Sequence, residues 1–208
     1  MFISFEGLDG SGKSTQASLL ADRLREDNFQ VVETREPGGT PLGEALRPLL
    51  LESPQIPIAP EAMALLLSAA RAQHMRDVIQ PALAAGVIVI ADRFADSTVA
   101  YQGFGHGANP VLVEKLQEFA APVMPDITIY LDVPEAESVL RTAGRGGRNR
   151  LDGETLTFFQ RVADGYRHLY QAEPDRWMVV DGTGSIEQVQ ARIWHPLTRR
   201  LPRQLAAS

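Results

Sequence analysis

The chain has 208 residues, of which 44% are hydrophobic and 22% charged, a balance that supports a continuous core and excludes wholesale disorder. Its formal net charge of -6 argues against a protein that grips a nucleic-acid backbone, because that affinity comes from a basic surplus neutralising phosphates. With no cysteine, disulfides, thiolate zinc sites and a Cys nucleophile are excluded.

Met1–Gly7 runs straight into a strand-like segment, with no basic region followed by an apolar one, so no signal peptide is expected. No apolar run approaches the roughly 18 residues of a membrane span, and a cytoplasmic, soluble protein is the expectation. Apolar, β-branched runs predict strands over Phe2–Glu6, Val31–Thr34, Val87–Ala91, Ile127–Leu131 and Met178–Val180. Between them, helical patterns cover Ser14–Glu26, Leu42–Leu51, Pro60–Ala85, Val111–Ala120, Glu135–Ala143, Leu156–Ala172 and Ile186–Leu201. Strand–helix alternation with crossovers of this length predicts an α/β fold, a parallel five-stranded sheet with helices on both faces. The segments Glu36–Pro41 and Gly103–Pro110 read as broken, irregular loops. Gly144–Gly153 is glycine-rich and basic inside an acidic protein. No repeat or linker interrupts the chain, so one domain is expected over residues 1–208, and from composition 144–153 could equally be a plain solvated loop. The tail from Pro202 is expected to fray.

Gly7-Leu8-Asp9-Gly10-Ser11-Gly12-Lys13-Ser14 fits G-x-x-x-x-G-K-[ST], entered by a strand and left by a helix. Glycines let successive N–H groups point into one concavity, and the helix N-terminus adds positive charge there. Such a loop holds the phosphates of ATP, with Lys13 reaching the β- and γ-phosphates and Ser14 helping to hold Mg²⁺. A phosphate loop alone leaves the second substrate open. Asp92-Arg93 leaves the third strand at its carboxyl end, where ligands gather in open parallel sheets. That pair is placed for Mg²⁺, directly or through water, and for an anionic substrate; a surface ion pair is the alternative. Arg71, inside an otherwise apolar helical run, needs either solvent or a partner.

Taken in order, GLDGSGKST, TREPGGTPLGEALR, LLLSAARAQH, DRFADSTVAYQGFG, PDITIYLDV and NRLDGETLTFFQRV resemble the bacterial thymidylate kinases, from Phe2 to about Ala191. The resemblance implies a P-loop NTPase fold with a short mobile lid inserted at about 144–153. It implies transfer of the γ-phosphoryl group of ATP to dTMP, giving dTDP and ADP, for dTTP synthesis and DNA replication. The alternatives are another nucleoside monophosphate kinase or a P-loop regulatory NTPase, though the sequence has no NKxD motif.

The resemblance also implies roles at matching positions. Arg93, Arg35 and Arg47 would clamp the dTMP 5′-phosphate, because the guanidinium fork can bind phosphate oxygens bidentately. Asp9 would bond the deoxyribose 3′-hydroxyl or organise the metal. Arg71 would donate to thymine O4, with Glu36, Ser97, Thr98 and Gln102 at the acceptor nucleotide and Tyr101 stacked under the sugar. Leu67 stands where the family has a Phe that stacks on thymine, with Phe94 or Phe104 able to compensate. ATP would meet the loop residues, Thr15, Arg141 over adenine, and the turn Asp181–Gly184. Thymidylate kinases of one class carry a catalytic arginine in the loop at the position of Gly10; the other class carries it in the lid. Gly10 therefore assigns this chain to the lid class, with Arg150 as the catalytic arginine and Arg145 and Arg148 assisting it. The catalytic set is Lys13, Arg93, Arg150, Asp9 and Asp92; the metal set is Ser14, Asp92 and Asp9. A homodimer is implied, through the long helix around Pro60–Ala85 and the region after Asp92, with no nucleic-acid or membrane partner.

Overall fold

The structure, a computed structural model, describes residues 1–143 and 150–201, with only the backbone at 143, 152 and 153. The five strands are β1 (Phe2–Gly7), β2 (Val31–Arg35), β3 (Ile88–Asp92), β4 (Ile127–Asp132) and β5 (Trp177–Asp181). They form one sheet in the order β2-β3-β1-β4-β5, and every pairing is parallel. The helices are α1 (Lys13–Glu26), α2 (Pro41–Leu51), α3 (Pro60–His74), α4 (Gln80–Ala84), α5 (Ala95–Thr98), α6 (Pro110–Ala120), α7 (Glu135–Ala143), α8 (Leu156–Ala172) and α9 (Ile186–Leu197).

The period of two along β1 separates the two faces. Ile3 and Phe5 join Ile90, Ile129, Leu20, Leu24 and Ile193 in a core between the sheet and α1 and α9. On the opposite face Phe2 packs with Val89, Phe94, Met75 and Ile79. Farther along that face Tyr130, Trp177, Tyr166, Phe158 and Val113 form a third cluster under α6 and α8. Ser4, Glu6 and Thr128 also lie on this face, fully buried and polar within an apolar sheet.

Three expectations need correction. The run Pro60–Ala85 is three pieces, because a π turn over Met75–Ile79 separates α3 from α4. Pro81 has no N–H to give the α-helical ladder, and the turn widens just before it. The last helix stops at Leu197 rather than Leu201, one residue after Pro196. The segment read as broken from Gly103 is helical as far as Gly105, where α5 continues into a π turn over Val99–Gly105. Within it Gly105 serves close packing rather than chain breaking. A Cβ at Gly105 would lie 2.7 Å from the Phe158 ring, and one at Gly165 of α8 would lie 2.9 Å from Phe104. The two helical segments therefore approach closely because each presents a glycine to the other.

Candidate active site

Strand register decides which loops meet. Phe5 and Arg35 both pair with Asp92, so β2 and β3 end at one level, β1 runs two residues past it, and the three release their loops side by side. A cavity of about 380 Å³ opens there. Asp9, Gly10, Gly12, Lys13, Ser14 and Thr15 line one part of it. Arg35, Glu36, Arg47, Asp92 and Arg93 line its middle, and Leu67, Arg71, Ser97, Thr98, Tyr101 and Gln102 the rest. The described chain thus gathers nearly every expected residue around one space. Gly7, Leu8 and Ser11 lie behind the loop rather than on the cavity wall, where Ser11 N donates to the Leu8 carbonyl at 3.1 Å. Arg145 and Arg148 lie outside the described residues.

The loop's shape is set by its glycines and by α7. Lys13 Nζ donates to the Leu8 carbonyl at 2.7 Å, and burial first, then the nearby Arg93 cation, push its pKa down to about 8. It is still protonated at neutral pH. Gly10 adopts φ 81, and a Cβ there would stand 3.1 Å from both the Ser138 carbonyl and Arg141 Cβ of α7. Arg141 donates to the Gly10 carbonyl at 3.2 Å and pairs with Glu137, so it braces the loop from outside the cavity. A side chain at position 10 would be strained by its φ and crowded against α7, which would have to give by a few tenths of an ångström.

Arg93 is the hub. It is a non-glycine residue at φ 71, a strained left-handed conformation that persists only where the surroundings impose it. Two groups impose it: Arg93 N donates to the Phe5 carbonyl at 3.0 Å, and Glu6 accepts the next backbone N–H, from Phe94, at 2.8 Å. The guanidinium then reaches the Gly7 carbonyl at 3.2 Å, Ser97 Oγ at 3.0 Å, Asp9 at 2.9 Å and the Tyr101 hydroxyl at 3.1 Å. Tyr101 also donates to Asp9 at 2.7 Å. Desolvation opposes ionisation of Asp9, but Arg93 and then Lys13 outweigh it and hold its carboxyl below the usual range.

Behind Arg93, the fully buried Glu6 also accepts from Ser97 Oγ at 2.5 Å and the Tyr166 hydroxyl at 2.8 Å. Its pKa rises to about 7, first through burial and then through the neighbouring Asp96. Burial raises Tyr101 and Tyr166 well above their ordinary value, so both remain phenols able to donate. Glu6 and Tyr166 were not legible as site residues, since one is a strand carboxylate and the other a core aromatic of α8.

Arg71 has the partner its apolar setting demanded. Only 2% exposed, it donates from Nε to Glu36 at 2.7 Å, and from Nη2 to the Phe94 carbonyl at 3.1 Å and Thr98 Oγ1 at 3.0 Å. Glu36 also contacts His74 Nδ1 at 3.0 Å, and His74 Nε2 contacts Thr34 Oγ1 at 2.7 Å. Glu36 is thus turned toward Arg71 and His74, a buried brace between β2 and α3. Arg35 and Arg47 reach the cavity from β2 and α2; Arg35 pairs with Glu44 at 3.2 Å and Arg47 donates to the Pro37 carbonyl at 2.5 Å. Leu67 and Met63 form an aliphatic wall. Of the proposed aromatic substitutes, Phe104 packs on Gly165 and His168 away from the cavity, whereas Phe94 lines it. The Phe94 ring is fully buried, edge-on to Phe2 at 4.9 Å.

Ser14 Oγ donates to Asp92 Oδ2, and Asp92 Oδ1 is buried with no partner. A carboxylate oxygen unmatched beside a loop hydroxyl suits a hard cation that takes most of its ligands from phosphates and water. Among the described residues no three His, Asp or Glu gather to hold a metal by themselves. Asp9 is engaged by Arg93 and Tyr101, so its carboxylate serves those donors rather than the Ser14–Asp92 pair. Arg150, which follows the undescribed segment, lines the same cavity but donates to the Leu49, Leu50 and Ser53 carbonyls at 3.3, 3.0 and 2.7 Å. It caps the C-terminal end of α2, where cations are favoured.

The family model described as Thymidylate kinase matches residues 5–193. A thymidylate kinase of Psychrobacter sp. (strain PRwf-1) is 44% identical over 204 residues, covering 96% of this chain and 98% of the relative. One of Thermomicrobium roseum is 47% identical over 204 residues, covering 97% and 96%. The crystal structure of a thymidylate kinase from Ehrlichia chaffeensis superposes with a TM-score of 0.78 at 38% identity, covering 95% of this chain and 98% of that one.

Proposed function

The chain belongs to the thymidylate kinase family and transfers the γ-phosphoryl group of ATP to dTMP; we propose that both nucleotides meet in the cavity at the carboxyl ends of β1, β2 and β3. The observation that carries this assignment is the shared register of Phe5, Asp92 and Arg35, which aims the phosphate loop and the arginine cluster at one space. The loop amides and Lys13 hold the triphosphate of ATP. Arg93, Arg35 and Arg47 take the acceptor phosphate. Phosphoryl transfer asks for in-line placement and charge neutralisation more than covalent chemistry, and a row of cations around one cavity supplies that.

Asp9 and the Tyr101 hydroxyl face the acceptor sugar, while Arg71, Thr98 and Gln102 read the base edge. Arg71 has acceptors on most of its donors already, which leaves it oriented for one further acceptor such as thymine O4. Leu67, Met63 and Phe94 enclose the base. Ser14 and the open oxygen of Asp92 would hold Mg²⁺, which when bound offsets phosphate charge. Arg150, released from α2, brings a further cation to the transferring group. Arg141 and the turn from Asp181 border the adenine, where Gln16 already bonds the Ile186 carbonyl at 3.0 Å.

A homodimer belongs to the same reading. Leu65 of α3 and Leu112 and Phe119 of α6 are 58, 64 and 84% exposed, and Leu112, Leu116 and Phe119 share one helical stripe. The protein acts as a soluble cytoplasmic enzyme with ATP and dTMP as its partners; among the described residues no helix is long and apolar enough to cross a membrane. A coupled-enzyme panel of dTMP, dUMP, UMP, dGMP and AMP with ATP tests the site. Preference for dTMP that survives in the parent and disappears with Arg71→Met supports it; unchanged preference in that variant rejects the base-reading assignment. Gel filtration of Phe119→Glu beside the parent tests the dimer face.

A further inference from the structure

Gln117 lies on α6, outside every phosphate or arginine motif, yet it is only 3% exposed and ends beside Arg71. A buried amide costs free energy unless its donors and acceptor are met, so an apolar residue would serve packing better here. Its amide orientation follows from its neighbours. Ser68 Oγ gives its single hydrogen to the Ala64 carbonyl at 2.7 Å, so toward Gln117 it can only accept, and Gln117 Nε2 donates to it at 3.0 Å. Oε1 is thereby left facing Arg71 Nη1, which can only donate.

The donors of Arg71 can then be assigned one by one. Of the five N–H groups of a guanidinium, Nε goes to Glu36, the Nη2 pair is shared among Glu36, the Phe94 carbonyl and Thr98, and one Nη1–H goes to Gln117. One Nη1–H remains on a side chain that lines the cavity. β2, α5 and α6 each hold a different edge of the group, so this last donor cannot swing away. A fixed donor favours a base that presents a carbonyl oxygen, as thymine and uracil do at position 4. It repels one that presents an amino group there, as cytosine does.

We propose that Gln117 is a positioning residue for base selection, holding Arg71 so that its remaining N–H discriminates a carbonyl from an amino group on the acceptor base. The proposal rests on the reading of Arg71 as the base-contacting donor. It is tested by measuring kcat and KM for dTMP, dCMP and ATP in the parent, Gln117→Met, Gln117→Glu and Arg71→Met. Gln117→Met keeps the length but loses the acceptor. It is expected to lower the dTMP-to-dCMP ratio of kcat/KM by about tenfold, mainly through KM for dTMP, with KM for ATP unchanged. Gln117→Glu keeps an oxygen opposite Arg71 and is expected to keep the parental ratio, whereas a packing role would leave the ratio parental in Gln117→Met as well. A parental ratio in Gln117→Met, or an equal loss with every substrate including ATP, overturns the proposal while a collapsed ratio in Arg71→Met leaves the Arg71 reading standing. A parental ratio in Arg71→Met removes that reading and this proposal with it.

Discussion

Glu6→Gln tests whether the buried carboxylate under Arg93 is held at a thermodynamic cost. Glu6 is completely buried, and burial followed by the nearby Asp96 raises its pKa from an ordinary 4.5 to about 7. Below pH 4.5 the folded and unfolded chains both carry this proton, and the residue does not affect the balance. Between 4.5 and about 7 the folded chain keeps a proton that the unfolded chain has released, so rising pH lowers stability. Above about 7 the full penalty is present, amounting to about 3 kcal/mol at roughly 1.4 kcal/mol per pH unit. The substituted amide cannot ionise, yet its carbonyl can still accept the Phe94 N–H that fixes the Arg93 turn. The variant is therefore expected to gain on the parent by about 2–3 kcal/mol between about pH 5 and about pH 8. With urea slopes of about 2–3 kcal/mol per molar for a chain of this size, the difference between the two midpoints should move by about 1 M. Urea unfolding of both proteins at the two pH values reads this directly, and hydrogen-bond differences independent of pH cancel in the comparison. Parallel pH profiles would refute the reasoning.

Gly10→Ala should destabilise the protein by about 1–3 kcal/mol, because the residue would take φ 81 with its Cβ 3.1 Å from α7; a thermal midpoint indistinguishable from the parent's counts against the steric account of the loop. Arg150→Ala should lower turnover more than about tenfold with little change in ATP affinity, the size expected when a charge-neutralising arginine is lost. Single-turnover kinetics decide it, and near-parental turnover would assign the catalytic charge to another arginine. Leu67→Phe should lower KM for dTMP, since stacking on a base is worth about 1–3 kcal/mol; an unchanged or higher KM in steady-state assays means that the aliphatic wall is not short of an aromatic face.

The phosphate loop, the five strands and the Asp92-Arg93 strand end were legible in the sequence because each depends on neighbours along the chain. Glycine spacing, a lysine before a hydroxyl and a β-branched run express local backbone preferences, and those preferences survive folding. Arg71 was legible as an anomaly, a charge in an apolar helix, but its partners were not: Glu36 comes from the end of β2 and Gln117 from α6. Gly105 misled, since glycine reads locally as a break and only the approach of Phe158 reveals a packing role. The resting contact of Arg150 with the Leu50 carbonyl of α2, 100 residues earlier, was equally beyond local reading.

The sequence by itself therefore determined the sheet and the ATP-binding loop, which follow from short-range periodicity and motif, while the class of reaction came from the resemblance of the whole ordered set of segments to one family. Only the tertiary structure decided how the buried polar groups pair. Glu6 meets Tyr166 across 160 residues of chain because β1 is the central strand and α8 packs over its even face. Hydrophobic periodicity says which side of a strand is buried; it does not say which donor will be waiting there. That depends on strand order and register, and here they set Arg93 over Glu6 and aimed its guanidinium at the cavity.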